Sequence, residues 1–465
     1  MSKNIEQENA IKKVKGPCII LAGAGTGKTF TIRQKIKYIV DNNLYKPEEI
    51  LCLTFSNEAT NNLKKKIFED ISNKANFLTI KTFHSFCSEI IKENSDFFKI
   101  NPDFKIILPE DSKIIVTKYF GILPYYSNRY INTIQNCKDF GITIEALKEY
   151  IENNLLKKLL ESTTIDSLEQ FYLEKQKEIR TIFKEVKHYD KDVRKSSKEY
   201  KKELKSFIST YDDYIKFNKF IETWEKYETF KREKNYLDYG DLNKLVLEYF
   251  TINGSSKYTE QYKYVFVDEF QDTNKLQFDL IKYIAEHRNI TVVGDLNQSI
   301  YGFRGAYKDS FKNFEENFKV IKETDVFNLT KSYRSPNTVL NIAYDLIKNN
   351  FEKDSNECQK VQNAEDREGD KVKVFSFNDQ YEEARFISDE VEKEIENNTL
   401  LNQIAVLIRT HKQAEVIKQA LELKKIPFTY AGKTNLLEYA EIKTVVSYLS
   451  ILNNLINRTA TGEQA

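Results

Sequence analysis

The stretch AGAGTGKT, residues 22–29, contains residue types that bind phosphate groups. It follows the apolar run CIIL and precedes a helical pattern, which is the context that a phosphate-binding loop requires. Glycines let backbone N–H groups point at phosphate oxygens, while Lys28 would reach the outer phosphates and Thr29 would offer its hydroxyl to Mg²⁺. The rest of the expected cradle consists of Ala22, Gly23, Ala24, Gly25, Thr26 and Gly27. The alternative is an ordinary glycine-rich turn, since Ala22 stands where the strict pattern has glycine.

The stretch VFVDEFQDTN, residues 265–274, places two carboxylates after an apolar run. The run predicts a buried strand, and phosphates bind at the carboxyl edge of a parallel sheet. Asp268 would hold Mg²⁺, and Glu269 would orient and deprotonate an attacking water molecule. Acidic residues are common at strand ends. Together with the upstream loop, however, this pair favours a nucleotide hydrolase over a protein that only binds nucleotide.

These residues need a sheet to position them. In the first hundred residues, short apolar runs alternate with helical patterns in the order PCIILAG, GKTFTIRQKIKYIV, ILCLTF and NEATNNLKKKIFEDI. Such an alternation indicates a parallel sheet covered by helices on both faces. From about Asp111 to Tyr236, Lys- and Glu-rich helical patterns replace the strands, and the α/β pattern then resumes with YKYVFVDEF. The sequence therefore predicts an α/β fold with an inserted helical subdomain.

A second α/β region is predicted from roughly Ser335 onward. The runs DKVKVFSF, QIAVLIRT and IPFTYAG read as strands and alternate with helical patterns. The polar segment at residues 354–370 reads as a loop. A chain of 465 residues is too long for one ordinary core, so two or more domains are expected.

Composition limits the classes of protein that the chain can represent. The 71 Lys and Arg residues are balanced by 70 Asp and Glu residues, so any anionic partner must be bound by a local patch. The five cysteines show no CxxC spacing, which is typical of reduced thiols in a cytosolic protein. No apolar run approaches the roughly 20 residues of a membrane span. We therefore expect a cytoplasmic protein without a membrane partner.

The chain resembles the UvrD/Rep/PcrA family of superfamily 1 DNA helicases. Segments that carry the resemblance follow the family order and, besides the two stretches above, are NIEQENAI, TFSNEAT, KTFHSFC, YLDYGDL, QSIYGFRGA and LTKSYRS. The resemblance implies a P-loop NTPase fold with a RecA-like motor domain, 1A, at residues 1–110 and 236–335. It also implies a helical subdomain, 1B, inserted at residues 111–235, and an incomplete second RecA-like domain, 2A, at residues 336–465.

The resemblance also implies the contacts to nucleotide. Gln7 would read adenine, Tyr333 would stack on the adenine ring, and Arg334 would reach the γ-phosphate. Gln298 would sense the same phosphate from the third motif. The expected catalytic residues are therefore Lys28, Asp268, Glu269, Gln298 and Arg334, and the expected cofactors are ATP and Mg²⁺.

In this family the third motif, QSIYGFRGA, lies between ATP and DNA. Phe303, where close relatives carry tryptophan, would stack on a DNA base, and Tyr301 and Arg304 would support the same channel. Stacking contributes about 1–3 kcal/mol per base without selecting a sequence. The alternative is that the rings are core aromatics and the arginine is a surface charge. The other expected DNA contacts are Thr54, Phe55, Ser56, Asn57, Thr82 and His84, of which the histidine is as often structural at such a junction.

Several positions depart from the family pattern. Phe30 replaces the usual arginine, Glu58 a lysine, Ile5 a proline and Ser332 an asparagine. Glu58 places a negative charge near the expected DNA path. The fifth and sixth family motifs, including a second arginine for the γ-phosphate, have no counterpart in the chain, so it looks like the first two-thirds of a helicase.

The leading hypothesis is an ATP-dependent DNA helicase or translocase that binds single-stranded DNA, or a duplex with a 3′ tail. Its 3′-to-5′ polarity and its role in DNA repair, replication or recombination come only from the resemblance. The alternative is an ATP- and DNA-binding module or subunit without coupled activity. Such a subunit would work with a nuclease or repair factor, for example in a helicase–nuclease or phage-defence complex.

Overall fold

The computed structural model describes residues 4–161, 163–185, 191–299, 310–351, 359–430 and several positions between 442 and 452, with backbone alone for 179–185 and 191–201. The chain divides into two compact units, Met1–Asp370 and Lys371–Ala465. None of the described helices is long and apolar enough to cross a membrane.

The strands belong mainly to one parallel sheet of six strands in the first unit. The strands in chain order are β1 (Pro17–Ala22), β2 (Ile50–Thr54), β3 (Thr79–Thr82), β4 (Lys105–Ile106), β5 (Tyr236–Leu237), β6 (Tyr264–Val267), β7 (Ile290–Gly294), β8 (Val326–Leu329), β9 (Lys331–Ser332) and β10 (Gln362–Asn363). The order in the large sheet is β3-β2-β6-β7-β1-β8, while β4–β5 and β9–β10 form two-stranded sheets. The α/β fold class expected from the sequence is thus confirmed.

Helices cover both faces of this sheet and are also present in the helical insertion and in the second unit. In chain order they are α1 (Ile5–Lys12), α2 (Lys28–Asp41), α3 (Asn57–Ile71), α4 (Phe83–Glu93), α5 (Ser95–Phe98), α6 (Pro109–Phe120), α7 (Pro124–Asp139), α8 (Ile144–Ile151), α9 (Lys157–Leu160), α10 (Leu168–Glu185), α11 (Lys191–Lys234), α12 (Tyr239–Asn253), α13 (Ser256–Gln261), α14 (Lys275–Ile284), α15 (Ser310–Phe318), α16 (Lys322–Asp325), α17 (Asn337–Ile347), α18 (Gln380–Glu396) and α19 (His411–Leu423).

The strands of the large sheet are apolar on both faces because helices bury both. In β1, Ile19 packs into one core with residues of α4, α12 and α14. Its neighbours Cys18 and Ile20 pack into the opposite core with residues of α1, α2 and α3. Because these strands are parallel, all their carboxyl ends lie along one edge of the sheet, where the loops carry the candidate site.

The helical insertion runs from α6 to α11 and has its own apolar cores, one of them built around Trp224 and Tyr227. A buried charge network fastens it to the sheet domain. Lys138 on α7 contacts Asp238 at 2.7 Å and Asp241 at 2.6 Å, and both aspartates lie at the start of α12. Lys231 on α11 contacts the same two carboxylates at 2.8 and 2.5 Å.

In the second unit, α18 and α19 pack on each other through Val391, Leu421 and Ile426. The structure differs here from the sequence prediction, because within the described residues DKVKVFSF, QIAVLIRT and IPFTYAG form no hydrogen-bonded strand. An extended segment becomes a strand only when a neighbouring segment forms hydrogen bonds with its backbone N–H and C=O groups. Val374 and Leu407, in two of these segments, are 92% and 94% exposed.

Candidate nucleotide and DNA site

The loop between β1 and α2 has the shape of a phosphate cradle. Gly25 and Gly27 have φ angles of 76° and 92°, which only glycine adopts without strain. The Thr26 hydroxyl donates to the Gly23 carbonyl at 2.9 Å and so closes the loop on itself. Lys28 is the first residue of α2, so free backbone N–H groups and the positive end of the helix dipole meet at this point.

Gln7 supports the loop from the opposite side. The residue is 1% exposed, and its Nε2 donates to the Thr26 carbonyl at 3.1 Å. Asn4 forms a capping box with Gln7 at the start of α1, which fixes the direction of the glutamine side chain. A Cβ at Gly27 would lie 2.7 Å from Gln7 Nε2, so the amide and the loop are in direct contact.

The carboxylates after β6 face the lysine of the loop. Lys28 Nζ contacts Glu269 Oε2 at 2.8 Å. Glu269 has a φ angle of 49°, a left-handed conformation that is costly for a residue with a Cβ. Burial, with a smaller contribution from the charge of Glu269, raises the pKa of Asp268 to about 6, although Lys28 opposes the shift.

The carboxylate oxygens of Asp268 and Glu269 are suitable ligands for a magnesium ion. Mg²⁺ takes oxygen ligands and commonly binds through one or two protein groups together with phosphates and water. The raised pKa of Asp268 shows a carboxylate whose charged form is poorly compensated, and a divalent cation would favour that form. Thr29, at the second position of α2, supplies a hydroxyl from the adjoining loop.

The segment after β7 brings Gln298 to the carboxyl edge of the sheet. Gln298 Nε2 donates to Asp295 Oδ2 at 2.8 Å, within a short helical turn that directly follows the strand. The expected DNA contacts Tyr301, Phe303 and Arg304 lie outside the described residues, so the alternative interpretations of this loop remain open.

The segment after β8 closes over the phosphate cradle. The Ser332 hydroxyl donates to the Ala24 carbonyl at 3.1 Å, and Tyr333 N donates to the Gly25 carbonyl at 2.9 Å. Asn4 Nδ2 donates to the Tyr333 hydroxyl at 3.2 Å, which ties the tyrosine to the start of α1. Ser332, one of the departures from the family pattern, thus has a clear role in holding the loop.

These parts surround one cleft of about 390 Å³. Its lining includes Ala24, Gly25, Gly27, Lys28, Thr29, Glu269, Gln298, Tyr333 and Arg334 from the sequence prediction, together with Phe30 and Lys66. Ala22 and Gly23 line a smaller neighbouring cleft. Residues from four separate loops therefore converge on this cleft.

The expected DNA contacts after β2 differ in their accessibility. Thr54 is 1% exposed, and its hydroxyl shares a hydrogen bond of 2.6 Å with the Thr60 hydroxyl. Phe55, Ser56 and Asn57 are exposed, and Ser56 also caps α3. The exposed residues face solvent, whereas the threonine hydroxyl is hydrogen-bonded inside the protein.

The second group of expected DNA contacts lies at the start of α4. Thr82 is buried and caps this helix by accepting from Ser85 N at 3.2 Å. The ring of His84 lies 4.7 Å from that of Tyr239, the first residue of α12. Burial lowers the pKa of His84 to about 4, so its ring is neutral at pH 7 and keeps one N–H donor.

Sequence reasoning missed several residues at these sites. Lys66 reaches the cleft from α3 without a local signal beyond helical spacing. Phe30, noted in the sequence only as a departure from the family's arginine, reaches the cleft from α2. Tyr239 had a signal, because it is one of the two tyrosines of YLDYGDL. Gln271 had one as well, because it follows Glu269 by two positions and its side chain contacts that carboxylate.

Comparisons with known proteins agree with this geometry. Residues 3–319 match the model of the UvrD/REP helicase N-terminal domain, and residues 327–462 match that of the UvrD-like helicase C-terminal domain. The chain is 28% identical over 454 residues to ATP-dependent DNA helicase PcrA of Staphylococcus epidermidis RP62A and of Staphylococcus aureus Mu50. The aligned part is 97% of this chain and 54% of each relative, so the chain spans about half the length of the curated relatives it matches. Since the first domain model alone covers more than half of the chain, the protein belongs to the UvrD/REP helicase family.

Proposed function

We propose that the protein is an ATP-dependent DNA helicase or translocase that binds single-stranded DNA and couples ATP hydrolysis to movement. The observation that carries this proposal is the cleft in which Lys28, Glu269, Gln298 and Arg334 meet the phosphate cradle. The proposal includes movement in the 3′-to-5′ direction and a role in DNA repair, replication or recombination, both supported by the resemblance to the family. It also includes a cytoplasmic location, supported by the composition of the chain. Its DNA partner would be a single strand or a duplex with a 3′ tail, and a nuclease or repair factor is its proposed protein partner.

In the proposed reaction, the loop N–H groups and Lys28 bind the phosphates of ATP, and Tyr333 stacks on the adenine. Thr29 and Asp268 would hold Mg²⁺, which supplies charge neutralisation at the phosphates. Glu269 orients the attacking water and accepts its proton, while Arg334 stabilises the charge that develops on the γ-phosphate.

Coupling to DNA is proposed to run through the segment after β7. Gln298 lines the cleft, and the chain continues directly into the stretch that contains Tyr301, Phe303 and Arg304. A shift of Gln298 at the γ-phosphate would therefore be transmitted along the chain to the aromatic rings that are proposed to stack on DNA bases. The proposed DNA-binding path would continue over Phe55, Asn57 and the His84–Tyr239 pair.

The proposed domain division follows the family as well: motor domain 1A at residues 1–110 and 236–335, subdomain 1B at 111–235, and the first part of domain 2A from residue 336. An arginine finger raises the hydrolysis rate of such a site by orders of magnitude, so turnover without one would be slow.

The test is the steady-state ATPase rate of this chain with and without single-stranded DNA. We expect a rate that rises with DNA and that is lost in both Glu269→Gln and Lys28→Ala. Glu269→Gln should still bind nucleotide, because its amide leaves the phosphate cradle intact. A low rate that DNA does not change, despite measurable binding of both ligands, would instead identify a binding module or subunit.

A further inference from the structure

Gln271 joins two parts of the proposed site through both ends of its side-chain amide. The residue lies in the short helical turn Phe270–Asp272 and is 3% exposed. Its Nε2 donates to Glu269 Oε2 at 2.8 Å, and its Oε1 accepts from Asp295 N at 3.0 Å. A buried amide with both ends engaged has a fixed orientation, since rotation would break both hydrogen bonds.

The first of these bonds determines where the Glu269 carboxylate lies. The same oxygen, Oε2, also accepts from Lys28 Nζ at 2.8 Å. Bound phosphates would attract Lys28 away from the carboxylate, because both acceptors compete for one ammonium group. Gln271, which does not line the cleft, is then the donor that keeps Glu269 in place during turnover.

The second bond connects Glu269 with the segment that carries Gln298. Asp295 N, the partner of Gln271, belongs to the residue whose carboxylate accepts from Gln298 Nε2. Gly294 keeps this contact close, since a Cβ there would lie 2.2 Å from Gln271 Oε1. One amide thus spans the ends of the neighbouring strands β6 and β7.

We infer that Gln271 is a positioning residue for ATP hydrolysis: it holds the Glu269 carboxylate against the attacking water and fixes that carboxylate relative to Gln298. The inference rests on the proposed function. It assigns to Gln271 no contact with ATP, so its effect should fall on the rate of the chemical step and leave nucleotide binding unchanged.

The test compares Gln271→Met, which keeps the side-chain length and removes both hydrogen bonds, with Gln277→Met. Gln277 is a buried amide of the α14 capping box, six positions along the chain and outside the cleft. We expect Gln271→Met to lower kcat about 10–100-fold, with KM and the affinity for a fluorescent ATP analogue within about twofold. Gln277→Met should change the melting temperature and leave kcat close to that of the wild type.

A double variant separates positioning from a general structural effect. In single-turnover hydrolysis, Gln271→Met added to Glu269→Gln should lower the residual rate no further, because the side chain that it positions is already inactive. Additive losses, or a loss of nucleotide binding in Gln271→Met, would overturn the inference. If the wild-type chain hydrolyses ATP and Gln271→Met has the same kcat, the inference about Gln271 is wrong and the proposed function still stands. If the wild-type chain does not hydrolyse ATP, the proposed function is refuted as well.

Discussion

Gly25 is the residue at which the segment after β8 meets the phosphate cradle. A Cβ at this position would lie 2.5 Å from Arg334 Cβ and 2.8 Å from Ser332 Oγ. The Gly25 carbonyl accepts from Tyr333 N, so the backbone segments themselves are in contact. The two residues expected to bind adenine and the γ-phosphate are therefore held in place by the loop that binds the other phosphates.

Gly25→Ala should disrupt this contact, and Gly16→Ala provides a matched control. Both glycines have a φ angle of 76°, but a Cβ at Gly16 would meet nothing within 4 Å. Both variants should lose about 1–2 kcal/mol of unfolding free energy through backbone strain, and only Gly25→Ala should lose ATP affinity, by about tenfold or more. Thermal unfolding and titration with a fluorescent ATP analogue measure the two effects. Equal ATP affinities in the two variants would contradict the close approach.

At the scale of elements, the helical insertion is held to the sheet domain by charges that are almost fully buried. Lys138 and Lys231 have side chains only 4% and 2% exposed, and they share Asp238 and Asp241. Burial alone would lower the pKa of Lys138, but the two aspartates and Glu228 raise it well above its usual value. The lysines therefore fill the space between these three carboxylates as the compensating cations.

Lys138→Met should strongly destabilise the protein, because Lys231 would then be left as a single lysine to compensate the buried carboxylates of Asp238 and Asp241. Breaking a buried ion pair in this way costs about 3–5 kcal/mol. The matched control is Lys148→Met, which removes a pair with Glu225 whose side chains are 51% and 45% exposed, and which should cost far less because water screens an exposed pair. Urea unfolding of the two variants measures the difference, and comparable losses would show that the buried network contributes little.

Asp139, the last residue of α7, makes the attachment of the insertion sensitive to pH. Its Oδ1 accepts from Asn274 Nδ2 at 3.0 Å and from Gln135 Nε2 at 3.2 Å. Burial raises the pKa of Asp139 to about 7; Asp238 adds to the shift, and Gln135 and Lys138 oppose it. The Asp139 carboxyl group therefore binds its proton more tightly in the folded protein than in the unfolded chain. The stabilisation from the protonated Asp139 is complete below about pH 4 and is lost as pH rises to about 7.

Asp139→Asn should remove this dependence, because asparagine keeps the accepting oxygen and carries no charge. The unfolding free energy of the variant relative to the wild type should increase between pH 4 and pH 7 by about 2–4 kcal/mol and then remain constant. Unfolding at a series of pH values measures the difference between the two proteins, so other titrating groups cancel. A difference that does not vary with pH would mean that Asp139 is ionised throughout in the folded state.

The parts of the site that can be predicted from sequence are those in which a motif directly follows, along the chain, the strand that positions it. Lys28 and Glu269 could be assigned because AGAGTGKT and VFVDEFQDTN each carry their strand with them. The role of Gln271 could not, since it depends on β6 and β7 being neighbours in the sheet. Similarly, the Lys138 network joins residues about a hundred positions apart, and helical periodicity alone marks such a lysine as solvent-exposed.

At the scale of the whole molecule, near-neutral charge limits how DNA can be bound. The net charge is +1, and none of the expected DNA contacts within the described residues is Lys or Arg. Hydroxyl, amide and aromatic groups contact DNA without displacing counterions from many phosphates. Affinity for a single strand should therefore depend on stacking and hydrogen bonds more than on neutralised phosphates.

The dependence of single-strand affinity on salt tests this expectation. For single strands the slope of log K against log salt is about −0.7 for each neutralised phosphate, so a slope of about −1 to −2 is expected. Fluorescence anisotropy of a labelled oligonucleotide at several NaCl concentrations gives the slope. A value near −7, which corresponds to about ten phosphates, would show a cationic track that the expected contacts do not include.

The position of β1 in the sheet has a consequence for synthesis on the ribosome. This apolar strand pairs with β7 and β8, and Glu6 just before it accepts from Thr330, 324 residues later. At roughly 5–20 residues per second, the first strand waits tens of seconds for its partners. The nascent chain therefore carries an unpaired hydrophobic strand while the residues between β1 and its partners are synthesised. The phosphate-binding loop that follows β1 can take its final place only after those later strands have been made.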